Sequence, residues 1–267
     1  MSNLPLELLK KDIISKYVDH EYLDNIIIFN ELPSTNTYLL EQAKTNDNKI
    51  LICLAEHQTA GKGRLDRKWL SPFAQNIYLS ILWSFTKNFH ELSGLSLATA
   101  IAVTETLKQY GIKNDITLKW PNDVLWQQRK IAGILIELIK KSNQTCNAVI
   151  GVGLNVNMQY ADIKQIEQPW CSIAQIIDAV PQRNKVAGLL LNNLIKTMII
   201  YQQKGLKPFL AKWQKLDITY NKKVTIITNK SQVTGISLGI NEQGYFLLKT
   251  SNNKILSFVV GEVSLKI

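Results

Sequence analysis

The sequence is poor in the residues that build metal centres and disulfide frameworks. It has three cysteines and three histidines in 267 residues. Cys53, Cys146 and Cys171 are scattered, odd in number and outside any Cys-x-x-Cys pair. That excludes a disulfide scaffold and points to free thiols in a reducing cytoplasm. His20, His57 and His90 show no His-Glu-x-x-His spacing, so no zinc site is expected. No uncharged apolar run reaches the roughly 18 residues that a membrane helix needs. The opening MSNLPLELLKKDIISKY mixes acids into its start and has no apolar segment of the secretory kind. Charged residues are only 19%, which rules out a disordered polyelectrolyte. Repeats and low-complexity tracts are missing.

Acid is the other shortage: 21 Asp+Glu stand against 31 Lys+Arg, a formal charge of +10. A surplus of that size suggests anionic company, whether nucleic acid, nucleotide, acidic protein or membrane surface, and charge alone does not choose. The 46% of hydrophobic residues recur in short blocks, enough for one large domain or a medium domain with a small appendage.

Between about residues 26 and 217, apolar runs alternate with helical patterns. Strands are expected at 26–29, 50–56 and 76–85, and a helix capped by Ser34 through Lys44. Leu95 to Tyr110 has helical spacing, with Gly111 placed to end it, and a short helix is expected over 6–17. Four strands in a row, 116–120, 124–126, 131–139 and 148–157, favour antiparallel hairpins over a strict βαβ alternation. Helices over 184–204 and 208–216 follow. From about Asn221, five short strands separated by polar turns describe a small barrel, with the boundary near Asp217.

Four stretches carry chemistry. Gln58-Thr-Ala-Gly-Lys-Gly-Arg-Leu-Asp-Arg-Lys-Trp69 sets two glycines and four cations in a connector after a strand. Glycines let backbone N–H groups approach a ligand, and the cations neutralise phosphate or carboxylate. It is not a Walker A loop, because Gly63 follows Lys62. A solvated basic loop has the same composition. In Lys119-Trp-Pro-Asn-Asp-Val-Leu-Trp-Gln-Gln-Arg-Lys130, Pro121 interrupts a strand and a turn at 127–129 returns Lys130 towards Lys119, so that two cations and an acid converge. An ordinary bulged hairpin would read the same way. Gly151-Val-Gly-Leu-Asn-Val-Asn157 fails as a dinucleotide fingerprint and fits close backbone packing beside a ligand, or a plain buried strand. Pro33-Ser-Thr-Asn-Thr37 opens a helix whose free N–H groups suit capping or an anion.

Together, in this order and spacing, these stretches resemble the biotin protein ligases from about Phe29 to Ile267, with Trp170 and Gly261-Glu262-Val-Ser-Leu as weaker landmarks. The resemblance implies an α+β fold. A mixed or antiparallel sheet flanked by helices, the class II synthetase-like biotin ligase fold, would occupy residues 1–217, and an SH3-like β-barrel 218–267. It implies that biotin carboxylate attacks the α-phosphate of MgATP, and that the biotinyl-5′-AMP formed acylates one lysine of the biotin carboxyl carrier protein of acetyl-CoA carboxylase.

By the same resemblance, Ser34, Thr35, Asn36, Gln58, Lys62, Gly63, Arg64 and Lys130 would bind biotin. Gly61, Trp69, Lys119, Asn122, Asp123, Asn155 and Trp170 would serve ATP and the adenylate. Lys130 and Arg64 would be catalytic, and Asp123 would meet Mg2+. The family loop commonly reads Gly-Arg-Gly-Arg-x-Gly-Arg; here Lys62 replaces its first Arg and Asp66 its third Gly. Some members also repress transcription through an N-terminal winged helix-turn-helix, which the 33 residues before Ser34 do not accommodate. A ligase without specific DNA or membrane partners is therefore expected, with homodimerisation left open. The competing readings are a lipoate or octanoate transferase of the same fold and, from another class, a nucleic-acid-binding regulator.

Overall fold

A computed structural model describes residues 7–19, 21–45, 50–159, 166, 168–228, 231–259 and 263–266. After α1 (Lys11–Ser15) come β1 (Ile26–Leu32), α2 (Thr35–Thr45), β2 (Leu51–Gln58), β3 (Ile77–Phe85) and α3 (Leu95–Tyr110). Then follow β4 (Ile116–Lys119), β5 (Asp123–Trp126), β6 (Arg129–Lys140) and β7 (Cys146–Leu154). Helices α4 (Ile173–Ile177), α5 (Arg183–Lys204) and α6 (Leu210–Leu216) lead to β8 (Lys223–Thr228), β9 (Gln232–Ile240), β10 (Phe246–Lys249), β11 (Ile255–Phe258) and β12 (Val263–Lys266).

The first seven strands form one sheet, ordered β1-β2-β3-β7-β6-β5-β4. Only β1 and β2 run parallel, because α2 carries the chain between them; every other pair is antiparallel, including the consecutive hairpins from β4 to β7 and the long-range pair β3–β7. Strand alternation sends Ile52 and Leu54 into the main core with α3 and α5, and Cys53 and Ala55 into a smaller core under α2 with Leu39 and Leu82. Helix α3 is buried almost all round. Its Thr99, Thr104 and Thr106 hydroxyls donate to carbonyls one turn back, which satisfies polar groups held away from water. Gly111 ends it at φ +115°, a conformation that favours glycine.

The expected 6–17 helix is shorter, since only Lys11–Ser15 closes into a helix. The segment before it is held by buried side chains instead. Arg183, fully buried at the start of α5, pairs with Glu56 of β2 at 2.7 Å, donates to the Asn76 carbonyl at 2.9 Å and also donates to the Glu7 carbonyl. Asn184 donates to Glu7 at 2.7 Å. Helix α4 and the 3-10 turn Phe89–Leu92 were not foreseen, both being too short to show a period.

The last five strands form a second, antiparallel sheet ordered β11-β10-β9-β8-β12. Trp120, between β4 and β5, anchors it. The indole Nε1–H donates to the Gly244 carbonyl at 3.2 Å, and the ring lies 5.3 Å from Phe246. Gly244, at φ +80°, lets that turn settle against Leu97 and Leu206, where a Cβ would come within 3.0 Å. Among the described residues, no helix is long and apolar enough to cross a membrane.

Candidate active site

Past the start of α2, the sheet face beneath that helix is left open and floors a cleft of about 1400 Å3. Strand pairing lays two rows across the floor: Tyr78, Gly153 and Gly133 in one, and Ser80, Gly151 and Leu135 in the next. The glycines are there because side chains lie directly upon them. A Cβ at Gly153 would stand 2.3 Å from the Trp69 ring, one at Gly133 2.8 Å from it, and one at Gly151 2.1 Å from Asn36 Oδ1. The close backbone packing expected at Gly151–Asn157 is thus made with protein side chains at Gly151 and Gly153, which in turn form the cleft wall.

One end of the cleft is a buried polar cluster. The Thr35 N–H donates to Gln58 Oε1 at 2.9 Å, and Gln58 Nε2 donates to Ser71 Oγ at 3.1 Å. Ser80 Oγ lies 2.7 Å from Thr35 Oγ1 and 2.6 Å from Asn36 Oδ1, and Asn36 Nδ2 donates to Glu137 at 2.7 Å. Ser34 occupies the cap position, with Oγ 3.5 Å from the Thr37 N–H. Ser34, Thr35, Asn36, Gln58 and Ser80 are all buried. Ser71, Ser80 and Glu137 escaped the sequence reading. Each sits in an ordinary strand or connector and gains its meaning only from register.

The basic stretch is a folded hairpin rather than a free loop. Lys62 bridges Lys68, the Trp69 N–H donates to the Gly61 carbonyl at 2.9 Å, and Gly63 N–H donates to the Arg67 carbonyl at 2.7 Å. At its tip Leu65 and Asp66 have φ of 56° and 55°, a left-handed pair that prefers Asn-Gly. Arg64 reaches Asn122 Oδ1 at 3.4 Å and so closes the hairpin over the far wall.

That wall is where cations meet an acid. Lys130 Nζ lies 2.7 Å from Asp123 and 5.4 Å from the centre of the Trp69 ring. A register shift between Val124 and Leu125 brings Lys130 to Asp123, while Lys119 pairs with Asp123 across β4–β5. Burial holds the Lys119 ammonium below the ordinary lysine range; Asp123 opposes this, and Lys130 and Arg67 add to it. Burial likewise lowers Arg64, against the pull of Asp123 and with the help of Arg67. An anion entering beside these part-buried cations would ease their mutual repulsion. Asn122 Nδ2 donates to the Ile134 carbonyl at 2.8 Å, which fixes its oxygen towards Arg64.

Trp170 forms a bridge with Lys130, and the Lys130 N–H donates to the Pro169 carbonyl at 2.9 Å. Asn155 staples these strands together: its amide donates to the Cys171 carbonyl at 3.0 Å. Of the fifteen residues singled out from the sequence, all line this one cleft except Lys119, which stands one strand behind it on β4. Asn155 is present there through a carboxamide already engaged by backbone.

Fold and site together define an acyl-activating enzyme of the biotin and lipoate ligase type. Residues 28–155 match the Biotin/lipoate A/B protein ligase family, and residues 219–266 match the Biotin protein ligase C terminal domain. The bifunctional ligase/repressor BirA of Escherichia coli is 36% identical over 98% of this chain and 79% of its own length. A biotin–acetyl-CoA-carboxylase ligase of Mycobacterium tuberculosis is 31% identical over 84% of this chain and 82% of its own. The biotin protein ligase of Aquifex aeolicus, solved with biotin and ATP, superposes with a TM-score of 0.76 at 28% identity, covering 91% of this chain and 98% of that one. The chain belongs to the biotin protein ligase family and is a biotin ligase with an SH3-like C-terminal sheet.

Proposed function

We propose that this enzyme joins biotin to ATP as biotinyl-5′-AMP and passes the biotinyl group to one lysine of a biotin carboxyl carrier protein, that of acetyl-CoA carboxylase. The observation that carries this reading is the opposition of two unlike ends in one cleft. A buried polar cluster at Thr35, Asn36 and Gln58 suits an uncharged head group; a cationic wall at Lys130 and Arg64, with Lys119 one strand behind it, suits two anions. Adenylation needs this pairing, because carboxylate and triphosphate repel until cations lie between them. A carboxylate oxygen attacks the α-phosphorus, the bond to the β-phosphate oxygen breaks, and pyrophosphate leaves. Fixing the two in line supplies up to about 7–11 kcal/mol of the barrier.

Lys130 fits the meeting point. Its pairing with Asp123 holds the ammonium in place, and arrival of two anions gives it better partners. The hairpin with Gly61, Lys62 and Gly63 covers the mixed anhydride and keeps water from it. Trp69 walls the cleft beside Lys130, and Trp170 offers its ring at the nucleotide end. In the second step the carrier amine attacks the acyl carbon, AMP departs and the amine gives up its proton.

Mg2+ suits this donor set as a companion of ATP. It usually binds one or two carboxylates plus phosphates. Asp123, beside Asn122, would supply one carboxylate, and among the described residues no three His, Cys, Asp or Glu gather. When bound, the ion would neutralise phosphate charge.

In this reading the chain acts as a ligase and not as a repressor, and the segment before β1 packs on α5 through Glu7, Arg183 and Asn184. The test is ATP–pyrophosphate exchange. It should require biotin and refuse octanoate and lipoate; exchange driven equally by octanoate would overturn the substrate assignment, and retardation of a specific operator DNA would overturn the non-repressor reading.

A further inference from the structure

The head-group cluster contains groups of fixed polarity at both ends, and these orient both carboxamides between them. Glu137 as a carboxylate only accepts, so Asn36 presents its NH2 to it and its carbonyl to Ser80. The Ser80 hydroxyl has one proton and spends it on Asn36 Oδ1. Thr35 Oγ1, 2.7 Å from Ser80 Oγ and 3.1 Å from Gln58 Oε1, spends its own proton on one of these two oxygens. At the other end, Ser71 donates to the Trp69 carbonyl, a pure acceptor, so Gln58 turns its NH2 to Ser71 and its Oε1 to the Thr35 N–H, a pure donor. Gln58 Oε1 and Thr35 Oγ1 are left with lone pairs and no proton to offer.

We infer that Glu137, acting through Asn36 and Ser80, is a positioning residue that polarises the head-group subsite into an acceptor of N–H donors. This rests on the biotin reading above. It goes further, because it names the feature that separates a ureido head, with two N–H groups, from octanoyl or lipoyl chains, which have none. A pocket built for a donor rejects an analogue without it far better than one relying on shape.

The test is Glu137→Gln in the full-length enzyme, which keeps the shape and removes the acceptor-only end, alongside Glu137→Asp, which keeps it. Exchange kinetics are measured with biotin, with desthiobiotin (which retains the ureido group), and with varied ATP. Glu137→Gln should raise the KM for biotin and desthiobiotin by the same factor, about 10- to 100-fold for one misdirected charge-assisted hydrogen bond. The KM for ATP, kcat at saturation and the melting temperature should stay put, and Glu137→Asp should recover most of the loss. An unchanged biotin KM in Glu137→Gln overturns the relay. So does a loss shared by ATP and melting temperature. If the wild-type enzyme shows no biotin-dependent exchange, the biotin reading itself fails, and the relay falls with it.

Discussion

Replacing Gly153 by alanine tests whether Trp69 must lie flat on the sheet for the cleft to work. The added Cβ would stand 2.3 Å from Trp69 Cε2, about 1.1 Å inside the 3.4 Å at which ordinary contact begins, and 2.5 and 2.6 Å from two further ring atoms. The ring is rigid and β7 is central in the sheet, so the indole must move, by roughly an ångström. Lys130 packs over that ring, and the Trp69 backbone closes the hairpin on Gly61. A shift of this size at a positioning group costs about 100-fold in rate, equivalent to about 2.7 kcal/mol of transition-state stabilisation. The overpacking cost to the fold is about 1–3 kcal/mol. The assay is kcat/KM for biotin in pyrophosphate exchange, with thermal melting in parallel. Gly111→Ala is the comparison: its Cβ meets nothing within 4 Å but the φ of +115° is strained, so stability falls while activity holds. Near-normal kcat/KM in Gly153→Ala would refute the idea that the glycine row exists to seat Trp69.

Further outcomes are expected. Lys130→Ala should abolish carrier biotinylation, and near-normal transfer would remove Lys130 from the reaction. Asp66→Gly relieves a left-handed residue at the hairpin tip and should lengthen adenylate retention on the enzyme, read by gel filtration of labelled intermediate; unchanged retention would dismiss the tip as a determinant of closure. Glu56→Gln strands the buried Arg183 charge and should cost about 3–5 kcal/mol in urea unfolding. Burial pushes the Cys53 thiol up to about 12 and the Cys171 thiol to about 11. Both folded values lie above the ordinary 9.0, so the stability they lend is complete below pH 9 and drains away as pH rises towards 11–12. Alkylation at pH 8 should accordingly need unfolding first. Carrier transfer should slow with added salt if the +10 surplus steers an acidic partner.

Much of the sheet was legible because its strands are long, apolar and separated by turns; β3, β6, β7 and the five C-terminal strands lie within a residue or two of expectation, save the end of β7, which stops at Leu154. The site stretches were legible because Gly, Lys and Arg crowd into connectors where packing does not require them. The supporting residues were not. Ser80 and Glu137 read as routine strand positions until β3, β7 and β6 are laid side by side, and Glu56 and Arg183 meet across 127 residues of sequence. Pairing between distant segments leaves no periodic trace in either one. The hairpin at Gly61–Trp69 was equally consistent with a solvated loop, since its order depends on backbone bonds, which carry no side-chain signature.

The intact mass of a biotin carboxyl carrier domain incubated with this enzyme, biotin and ATP tests the central claim most directly. The account predicts a gain of one biotinyl group on a single lysine, lost when ATP is omitted. An unchanged carrier, or one acylated as readily by octanoate, would contradict it.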